Sequence, residues 1–241
     1  MCMKFETPLI PATLIRRYKR FLADVTLNDG REVTAHVANP GSMLGMKHAG
    51  LRVWLEQNDD PKRKLKYSWK LAELEDGTFI GVDTGLPNKI VAEALQGGLA
   101  AQLGYTHIRP EVKYGENSRV DFLLTDDNKP DCYLEVKSVT LSRSAGLGEF
   151  PDSVTKRGAK HMEELVRMVA EGHCAILLYL VQRNDINSFT VADDIDPEYQ
   201  RVAIRAKKAG VEFLCYGTKI SKAGICLDAS SMILPLVSVT D

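Results

Sequence analysis

The run of short alternating segments between about Leu14 and Val82 constrains the fold of this chain more than any other feature. Apolar residues recur at every second position up to Asn28-Asp29-Gly30 and again after it, which predicts a hairpin closed by an Asp-Gly turn. Three further alternating segments follow before Val82, and none has the spacing of an amphipathic helix. Five short strands in succession predict a small closed barrel.

Beyond Gly85 the pattern changes to alternating helices and strands, which predicts a separate α/β domain. Asn88 is placed to cap a first helix running through Leu95. Val139–Phe150 has the composition of an irregular, mobile loop. The remaining predicted elements are a helix introduced by Pro151-Asp152-Ser153 with Val154 on its buried side, a strand at Cys174–Val181, a helix at Glu198–Lys208 and a strand at Val211–Tyr216.

The composition is that of a soluble globular protein, with 44% hydrophobic and 26% charged residues in a chain of 241. Met1–Glu6 lacks the apolar stretch of a signal peptide, and no later run is long enough for a membrane span. We therefore expect a cytoplasmic protein, nucleoid-associated if it binds DNA, with no membrane partner. The net charge of −1 means that any contact with DNA must come from local basic patches.

The five cysteines are scattered and never occur in Cys-x-x-Cys spacing. This pattern suggests neither a disulfide framework nor a zinc site, and it predicts buried, reduced thiols. The residues concerned are Cys2, Cys132, Cys174, Cys215 and Cys226.

The stretch Arg119–Lys137 contains the strongest candidate for chemistry. It predicts two strands joined by a turn at Asp126–Pro130, with Asp121 on the first strand and Glu135 and Lys137 on one face of the second. If these faces meet, a hard cation such as Mg²⁺ would relieve the repulsion between the carboxylates and suit phosphodiester chemistry. Lys137 would hold or activate the attacking water, or stabilise the phosphate. The alternative is an ordinary Glu135–Lys137 ion pair beside an unrelated aspartate.

Basic residues form three groups that could contact a nucleic-acid backbone. They are Arg16 and Arg20 at the start of the barrel, Arg63, Lys64 and Lys66 around its fourth predicted strand, and Arg157, Lys160 and His161 on the helix after Pro151. Barrels of the OB type bind single strands through such cations together with aromatic residues, a role open to Tyr67 and Trp69. The alternative is that the lysines solvate a strand edge and the aromatic residues are core. On the helix, nearby glutamates could neutralise the cations.

Two weaker signals complete the set. The loop Ala38–Met43 is rich in small residues, so its backbone amides could approach a phosphate, although the same residues are typical of any turn. Glu93 lies on the predicted first helix and could add a further acidic group to the metal site, whereas a solvent-facing glutamate is the commoner case.

Several blocks of the chain resemble the sugar fermentation stimulation protein family of bacteria and archaea. The matching blocks are Ala35-His36 through Gly41-Ser42-Met43, Arg63-Lys64, Glu111 to Gly115, Ser118 to Phe122, and Glu135 to Leu141 continuing to Phe150 to Thr155, Arg157-Gly158 and Lys160-His161. In one respect the chain departs from the family, because Pro40 is the second residue of the usual Asn-Thr-Gly loop. Proline there removes a hydroxyl group and an amide donor.

The resemblance implies a two-domain protein of mixed α/β class (α+β). Residues 1–85 would form an OB-type β-barrel, and residues 86–241 an α/β domain with the PD-(D/E)XK nuclease architecture. Asp121, Glu135 and Lys137 would fall on the nuclease motif, with the Val136 carbonyl as a further metal ligand and Glu93 on the preceding helix. The family is described as binding DNA without strong sequence preference and is linked to the regulation of sugar, particularly maltose, metabolism.

Three functions remain open from the sequence. The first is a DNA-binding protein that cleaves phosphodiesters with Mg²⁺ at Asp121 and Glu135. The second is a DNA-binding regulator that retains the nuclease fold as a catalytically silent scaffold. The third is a partner-binding protein with neither activity, which the near-neutral net charge keeps open.

Overall fold

The computed structural model describes residues 2–115 and 118–233. Its strands are β1 (Met3–Lys4), β2 (Ile10–Tyr18), β3 (Leu22–Leu27), β4 (Glu32–His36), β5 (Arg52–Gln57), β6 (Tyr67–Glu73), β7 (Phe79–Gly81), β8 (His107–Tyr114), β9 (Ser118–Asp126), β10 (Lys129–Val139), β11 (Leu141–Ser144), β12 (Leu147–Phe150), β13 (Cys174–Val181), β14 (Ser188–Val191), β15 (Glu212–Ser221) and β16 (Gly224–Met232). Its helices are α1 (Leu86–Ala94), α2 (Ala100–Gln102), α3 (Lys156–Ala170) and α4 (Pro197–Lys208), with a π-helical turn at Leu95–Leu99 between α1 and α2.

Strands β2 to β6 close into a five-stranded barrel. The strand order is β4-β3-β2-β5-β6, and β4 pairs again with β6 to complete the ring. Trp69 is fully buried in the barrel core and donates its indole N–H to the Leu71 carbonyl at 2.9 Å. The OB-type barrel is therefore confirmed, and Trp69 is a core residue rather than a platform for bases.

The strands that form the barrel differ from those predicted. Ile10–Tyr18 is a separate strand, and it turns into β3 through Lys19 and Arg20, both with positive φ. The predicted fifth strand is β7, which extends the sheet beyond β6 without belonging to the ring. Phe21 shares the alternation of the buried Ala23 and Val25, but it precedes β3 beside the turn and is 44% exposed.

The second domain is a seven-stranded mixed sheet with helices on both faces. The order is β1-β16-β15-β13-β10-β9-β8, with parallel pairing only at its centre, between β10 and β13 and between β13 and β15. Alternate residues of β13 pack on opposite faces: Leu178 lies in the core under α1, and Tyr179 in the core under α3 and α4. The predicted α/β domain is confirmed.

Several local predictions in this domain are wrong. Val139–Phe150 is not an irregular loop, since β11 and β12 form a hairpin that joins β14 in a three-stranded sheet. Val154 is 65% exposed and precedes α3, which begins after Thr155. The Thr155 hydroxyl caps the helix by accepting the Gly158 N–H at 3.1 Å.

The expectation of five reduced, buried thiols is also wrong. Cys2 and Cys226 form a disulfide that ties the N-terminal edge of the chain to β16. Cys174 is a free but exposed thiol, whereas Cys132 and Cys215 are free and buried as expected. The disulfide has no local sequence signal, because 224 residues separate its two cysteines.

In the described part of the chain, no helix has the length and apolar character needed to cross a membrane.

Candidate active site

The candidate active site lies where β9 and β10 separate. Their antiparallel register ends at Leu134 opposite Phe122, so Glu135 and Asp121 are the next facing positions on the same side of the sheet. Asp121 fills the gap, and its Oδ2 accepts the Val136 N–H at 2.7 Å. Because the N–H and C=O of one strand residue point in the same direction, the Val136 carbonyl also faces this gap.

Asn88 holds the other oxygen of Asp121. Its side-chain amide donates to Asp121 Oδ1 at 2.7 Å. The prediction that Asn88 caps the first helix is wrong, since α1 begins at Leu86 after Gly85 and places Asn88 inside its first turn. From this position the amide projects over the sheet, so α1 contributes to the site through Asn88.

Glu135 is nearly completely buried, with 2% of the residue exposed. Its Oε1 accepts a hydrogen bond from the Lys137 ammonium at 2.7 Å and makes a very close contact with His161 Nδ1. Its Oε2 is buried and has no hydrogen-bond partner among residues 2–115 and 118–233. A buried carboxylate oxygen without a donor is costly, so this atom is either a source of strain or the place of a ligand.

The environment separates the acidities of the two carboxylates. Burial, followed by the neighbouring Glu135 charge, raises the pKa of Asp121, despite the opposing hydrogen bonds from Val136 and Asn88. Burial also acts to raise the pKa of Glu135, but the His161 hydrogen bond and the Lys137 charge outweigh it, so that pKa is lowered. Paired carboxylates with opposite pKa shifts are typical of sites where charge is used in chemistry.

His161 is part of this site and does not lie on an exposed cationic flank. It is buried on the first turns of α3, facing Glu135. Its other ring nitrogen, Nε2, accepts the Arg157 Nε–H at 3.3 Å. Arg157 and His161 are four residues apart on α3, and this spacing places them in contact. Only Arg157 faces solvent.

A pocket of about 440 Å³ opens beside Asp121 and His161. The carboxylates of Glu111 and Asp121 contribute to its lining. So do three cationic side chains, from Arg119, Arg157 and Lys160. The pocket therefore combines an exposed and a half-buried acidic residue with an exposed basic rim, and that rim is suited to a phosphate diester whose oxygens need cations around them.

Glu93 does not join the carboxylate pair. It is half-buried on α1, and within residues 2–115 and 118–233 no hydrogen bond or ion pair links it to Asp121 or Glu135. In the same part of the chain, no three His, Cys, Asp or Glu side chains are grouped so that they could hold a metal by themselves. Any metal here would depend on two carboxylates, a backbone carbonyl and ligands from outside the protein.

The predicted basic residues of the barrel lie apart from this pocket. Arg16 pairs with Asp24 at 2.8 Å, and Arg20 reaches the Pro40 carbonyl at 3.4 Å. The remaining ones, Arg63, Lys64 and Lys66, are exposed around the start of β6. These cations lie on the barrel and extend the basic surface, but they do not line the acidic site.

The small-residue loop after β4 joins the two domains. Asp152 Oδ2 accepts the Met43 N–H at 3.1 Å and the Ser42 hydroxyl at 3.2 Å, and the Ser42 hydroxyl also donates to the Asp152 carbonyl at 2.8 Å. Asp152 thus accepts the hydrogen bond from the Met43 amide, which the sequence predicted to be open to a phosphate. This contact fixes the barrel close to the start of α3.

Together these features define a protein in which an OB-type barrel is joined to a mixed α/β domain with a paired-carboxylate site. The model of the sugar fermentation stimulation protein RE domain matches residues 85–224, and that of the SfsA N-terminal OB domain matches residues 15–82. The chain belongs to the sugar fermentation stimulation protein family.

Relatives and a solved structure agree with this assignment. The sugar fermentation stimulation protein homolog of Roseobacter denitrificans is 60% identical over 225 residues, covering 92% of this chain and 96% of the relative. The homolog of Jannaschia sp. is 54% identical over 241 residues, covering 99% and 100%. The structure of Pyrococcus furiosus SfsA, solved in complex with Ca²⁺, is 23% identical, with a TM-score of 0.85 over 98% of this chain and 99% of that one.

Proposed function

We propose that this protein binds DNA and hydrolyses its phosphodiester bonds at Asp121, Glu135 and Lys137, with Mg²⁺ as cofactor. The observation that supports this most directly is the buried Oε2 of Glu135, which has no partner within the described residues and lies beside a pocket with a basic rim. A carboxylate oxygen that has no donor in the protein is suited to a cation from outside it.

The residues present fit Mg²⁺. Asp121 and Glu135 would hold it together with the Val136 carbonyl, which faces the same gap, and water and phosphate oxygens would complete its coordination. Its chemical contribution would be Lewis acidity and relief of the repulsion between the two carboxylates. The two hydrogen bonds on Asp121 would keep that side chain oriented while its charge is used.

Lys137 would act on the water and the phosphate. Its ammonium lies 2.7 Å from Glu135 Oε1, and its side chain is only 12% exposed, so it is held against the carboxylate pair with few alternative positions. A lysine held in this way orients the attacking water by hydrogen bonding and offsets charge that develops on the phosphate.

The basic rim would hold the DNA backbone on either side of the scissile bond. Arg157 and Lys160 are exposed on the first turns of α3, and Arg119 projects from β9 on the opposite wall of the pocket. Phosphate contacts of this kind position DNA without reading its sequence. Binding through them should therefore show little sequence preference and strong salt dependence.

The barrel would add a second contact surface for an unpaired strand. Phe21 stacks on His36 with 6.5 Å between ring centroids and 15° between planes, and the Arg20 guanidinium lies 6.0 Å from the Phe21 ring. Phe21 thus takes the role that the sequence left open for Tyr67 and Trp69. An exposed ring beside cations such as Arg16 and Arg20 is the combination used for binding single strands. The sugar-metabolism link in the family name would then act through DNA.

A DNA-binding regulator without nuclease activity is the second candidate. The observation that favours it is the position of Glu93, whose carboxylate has no contact with the site among the described residues. In this case the carboxylate pair would be a scaffold, and binding would depend only on the basic surfaces.

The test is incubation of labelled single- and double-stranded DNA with the protein at low salt in Mg²⁺, Mn²⁺ or EDTA, following retardation and cleavage together. Glu135→Gln is compared with Glu163→Gln, because Glu163 is exposed on α3 and pairs with Arg205 away from the site. Metal-dependent cleavage that Glu135→Gln abolishes and Glu163→Gln retains is expected. Retardation without cleavage in either metal would favour the regulator, and absence of retardation would reject both.

A further inference from the structure

Three side chains form a chain of hydrogen bonds from the basic rim to the buried carboxylate. Arg157 Nε donates to His161 Nε2 at 3.3 Å, and His161 Nδ1 contacts Glu135 Oε1. Arg157 and His161 are one helical turn apart on α3, so the backbone fixes their spacing. The two partners of His161 differ in kind, because a guanidinium can only donate hydrogen bonds and an ionised carboxylate can only accept them.

These partners determine the tautomer of His161. Since Arg157 occupies Nε2 as a donor, Nε2 must be the acceptor nitrogen, and the ring proton must lie on Nδ1. That proton points at Glu135 Oε1. The imidazole is therefore placed to donate from Nδ1, and its orientation is fixed at both ends.

The consequence appears at Glu135. Oε1 receives donors from both Lys137 and His161, whereas Oε2 has no partner in the described part of the chain. Two donors that approach Oε1 from different elements restrict rotation of the carboxylate more than Lys137 alone would, because the ammonium has rotatable donors and the imidazole is planar. The rigid imidazole provides the direction.

We propose that His161 is a positioning residue that presents Glu135 Oε2 to a divalent cation, and that Arg157 holds the opposite ring nitrogen of His161 while facing the DNA phosphate. Arg157 lines the pocket, and within the described residues its terminal nitrogens make no hydrogen bond. Through His161, Arg157 thus links the phosphate-binding rim to the metal-binding carboxylate of Glu135. This inference rests on the proposed function, because it assumes the cation site at Asp121 and Glu135.

The test is calorimetric titration of the DNA-free protein with Mn²⁺, which measures the metal site without any turnover. Loss of a residue that orients a metal ligand weakens affinity by about 10- to 100-fold, so His161→Ala should show a loss in that range. His161→Asn should recover part of it, because its amide nitrogen can occupy the position of Nδ1 and donate to Glu135. Glu163→Gln, two positions further along α3 and exposed, should bind as the unaltered protein does.

Circular dichroism and the unfolding temperature establish that each variant is folded, and His161→Asn provides the comparison if His161→Ala is not. Equal Mn²⁺ affinity in His161→Ala and the unaltered protein would overturn the positioning role while leaving the metal site in place. Absence of Mn²⁺ binding by the unaltered protein would reject the metal site and this role with it.

The tautomer has its own measurement. Long-range ¹H–¹⁵N correlation spectra of the ring nitrogens distinguish a protonated Nδ1 from a protonated Nε2. The Nδ1–H form is expected for His161, and it should persist in Arg157→Met because the Glu135 carboxylate can only accept a hydrogen bond from Nδ1. A protonated Nε2 in the unaltered protein would contradict the hydrogen-bond chain on which the proposal stands.

Discussion

Removing the charge of Glu135 should have opposite effects on stability depending on whether Lys137 is present. In the unaltered protein, Glu135→Gln weakens the hydrogen bonds to Lys137 and His161 but also removes the repulsion with Asp121. Hydrogen bonds to charged groups contribute about 1.5 to 3 kcal/mol each, and the relief of repulsion offsets part of that loss. We expect Glu135→Gln to lower the free energy of unfolding by about 1 to 2 kcal/mol.

The same change should stabilise a protein that already lacks the lysine. Breaking a buried ion pair by removing one partner costs about 3 to 5 kcal/mol, and we expect about 2 to 3 for Lys137→Met because His161 still donates to Glu135. In that variant the buried carboxylate faces Asp121 with only a neutral donor beside it. Glu135→Gln then removes an uncompensated charge, so the double variant should be more stable than Lys137→Met alone, by about 1 kcal/mol.

The measurement is urea unfolding of the four proteins in EDTA, followed by circular dichroism. The four values form a double-mutant cycle, and the expected coupling between Glu135 and Lys137 is about 2 to 3 kcal/mol. Additive effects within about 0.5 kcal/mol, or a further loss of stability in the double variant, would refute the reasoning. A second readout is the pKa of Asp121, which the Glu135 charge helps to raise and which should therefore fall in Glu135→Gln.

Three further predictions concern regions outside the carboxylate pair. Cys226→Ser should cost about 2 to 5 kcal/mol in unfolding free energy by removing the bond to Cys2, and dithiothreitol should lower the unfolding temperature of the unaltered protein but not of the variant. Phe21→Leu should weaken binding of single-stranded DNA by about 1 to 2 kcal/mol, measured by fluorescence anisotropy, and leave binding of duplex DNA nearly unchanged. Partial burial acts to raise the pKa of Asp24, but hydrogen bonds from Arg16 and two hydroxyls outweigh it and lower that pKa overall. The stability difference between the unaltered protein and Asp24→Asn should therefore be present above the unfolded-state pKa of about 4 and shrink as the pH falls through the lower folded-state pKa; a difference that does not change with pH in the acid range would contradict this.

The elements that sequence reasoning located correctly are those held by local pattern. The hairpin of β9 and β10 follows from period-two alternation on both sides of a turn, and this alternation is enough to bring Asp121 and Glu135 to one face. The same pattern identified the barrel, because closure by β4 and β6 needs only strands of matched length. Local rules fixed which face each carboxylate occupies, and the sheet then fixed their proximity.

The errors arise where a distant part of the chain decides the outcome. Asparagine is a common helix-capping residue, but α1 begins two residues before Asn88. The side-chain amide of Asn88 instead donates to Asp121, 33 positions away. Cys226 pairs with a residue at the other end of the chain, for which no spacing rule exists. Val139–Phe150 was assigned as a loop because of its glycines, although pairing with β14 makes it part of a sheet. Each outcome depends on contacts that no sequence window contains.

The orphan oxygen of Glu135 bears directly on the choice between an active site and a retained scaffold. An ion pair kept only for stability gains from satisfying every buried atom, because an unpaired polar group in the interior costs about 1 to 3 kcal/mol. Here two donors converge on Oε1, while Oε2 is buried and has no donor among residues 2–115 and 118–233. A scaffold without a ligand would gain stability from a change that supplies a donor to Oε2. A site that binds a cation would lose its function by the same change. The dependence of the Glu135→Gln stability change on Mn²⁺ therefore separates the two: a site that binds the metal should make Glu135→Gln more costly when Mn²⁺ is present, and a silent scaffold should make the metal irrelevant.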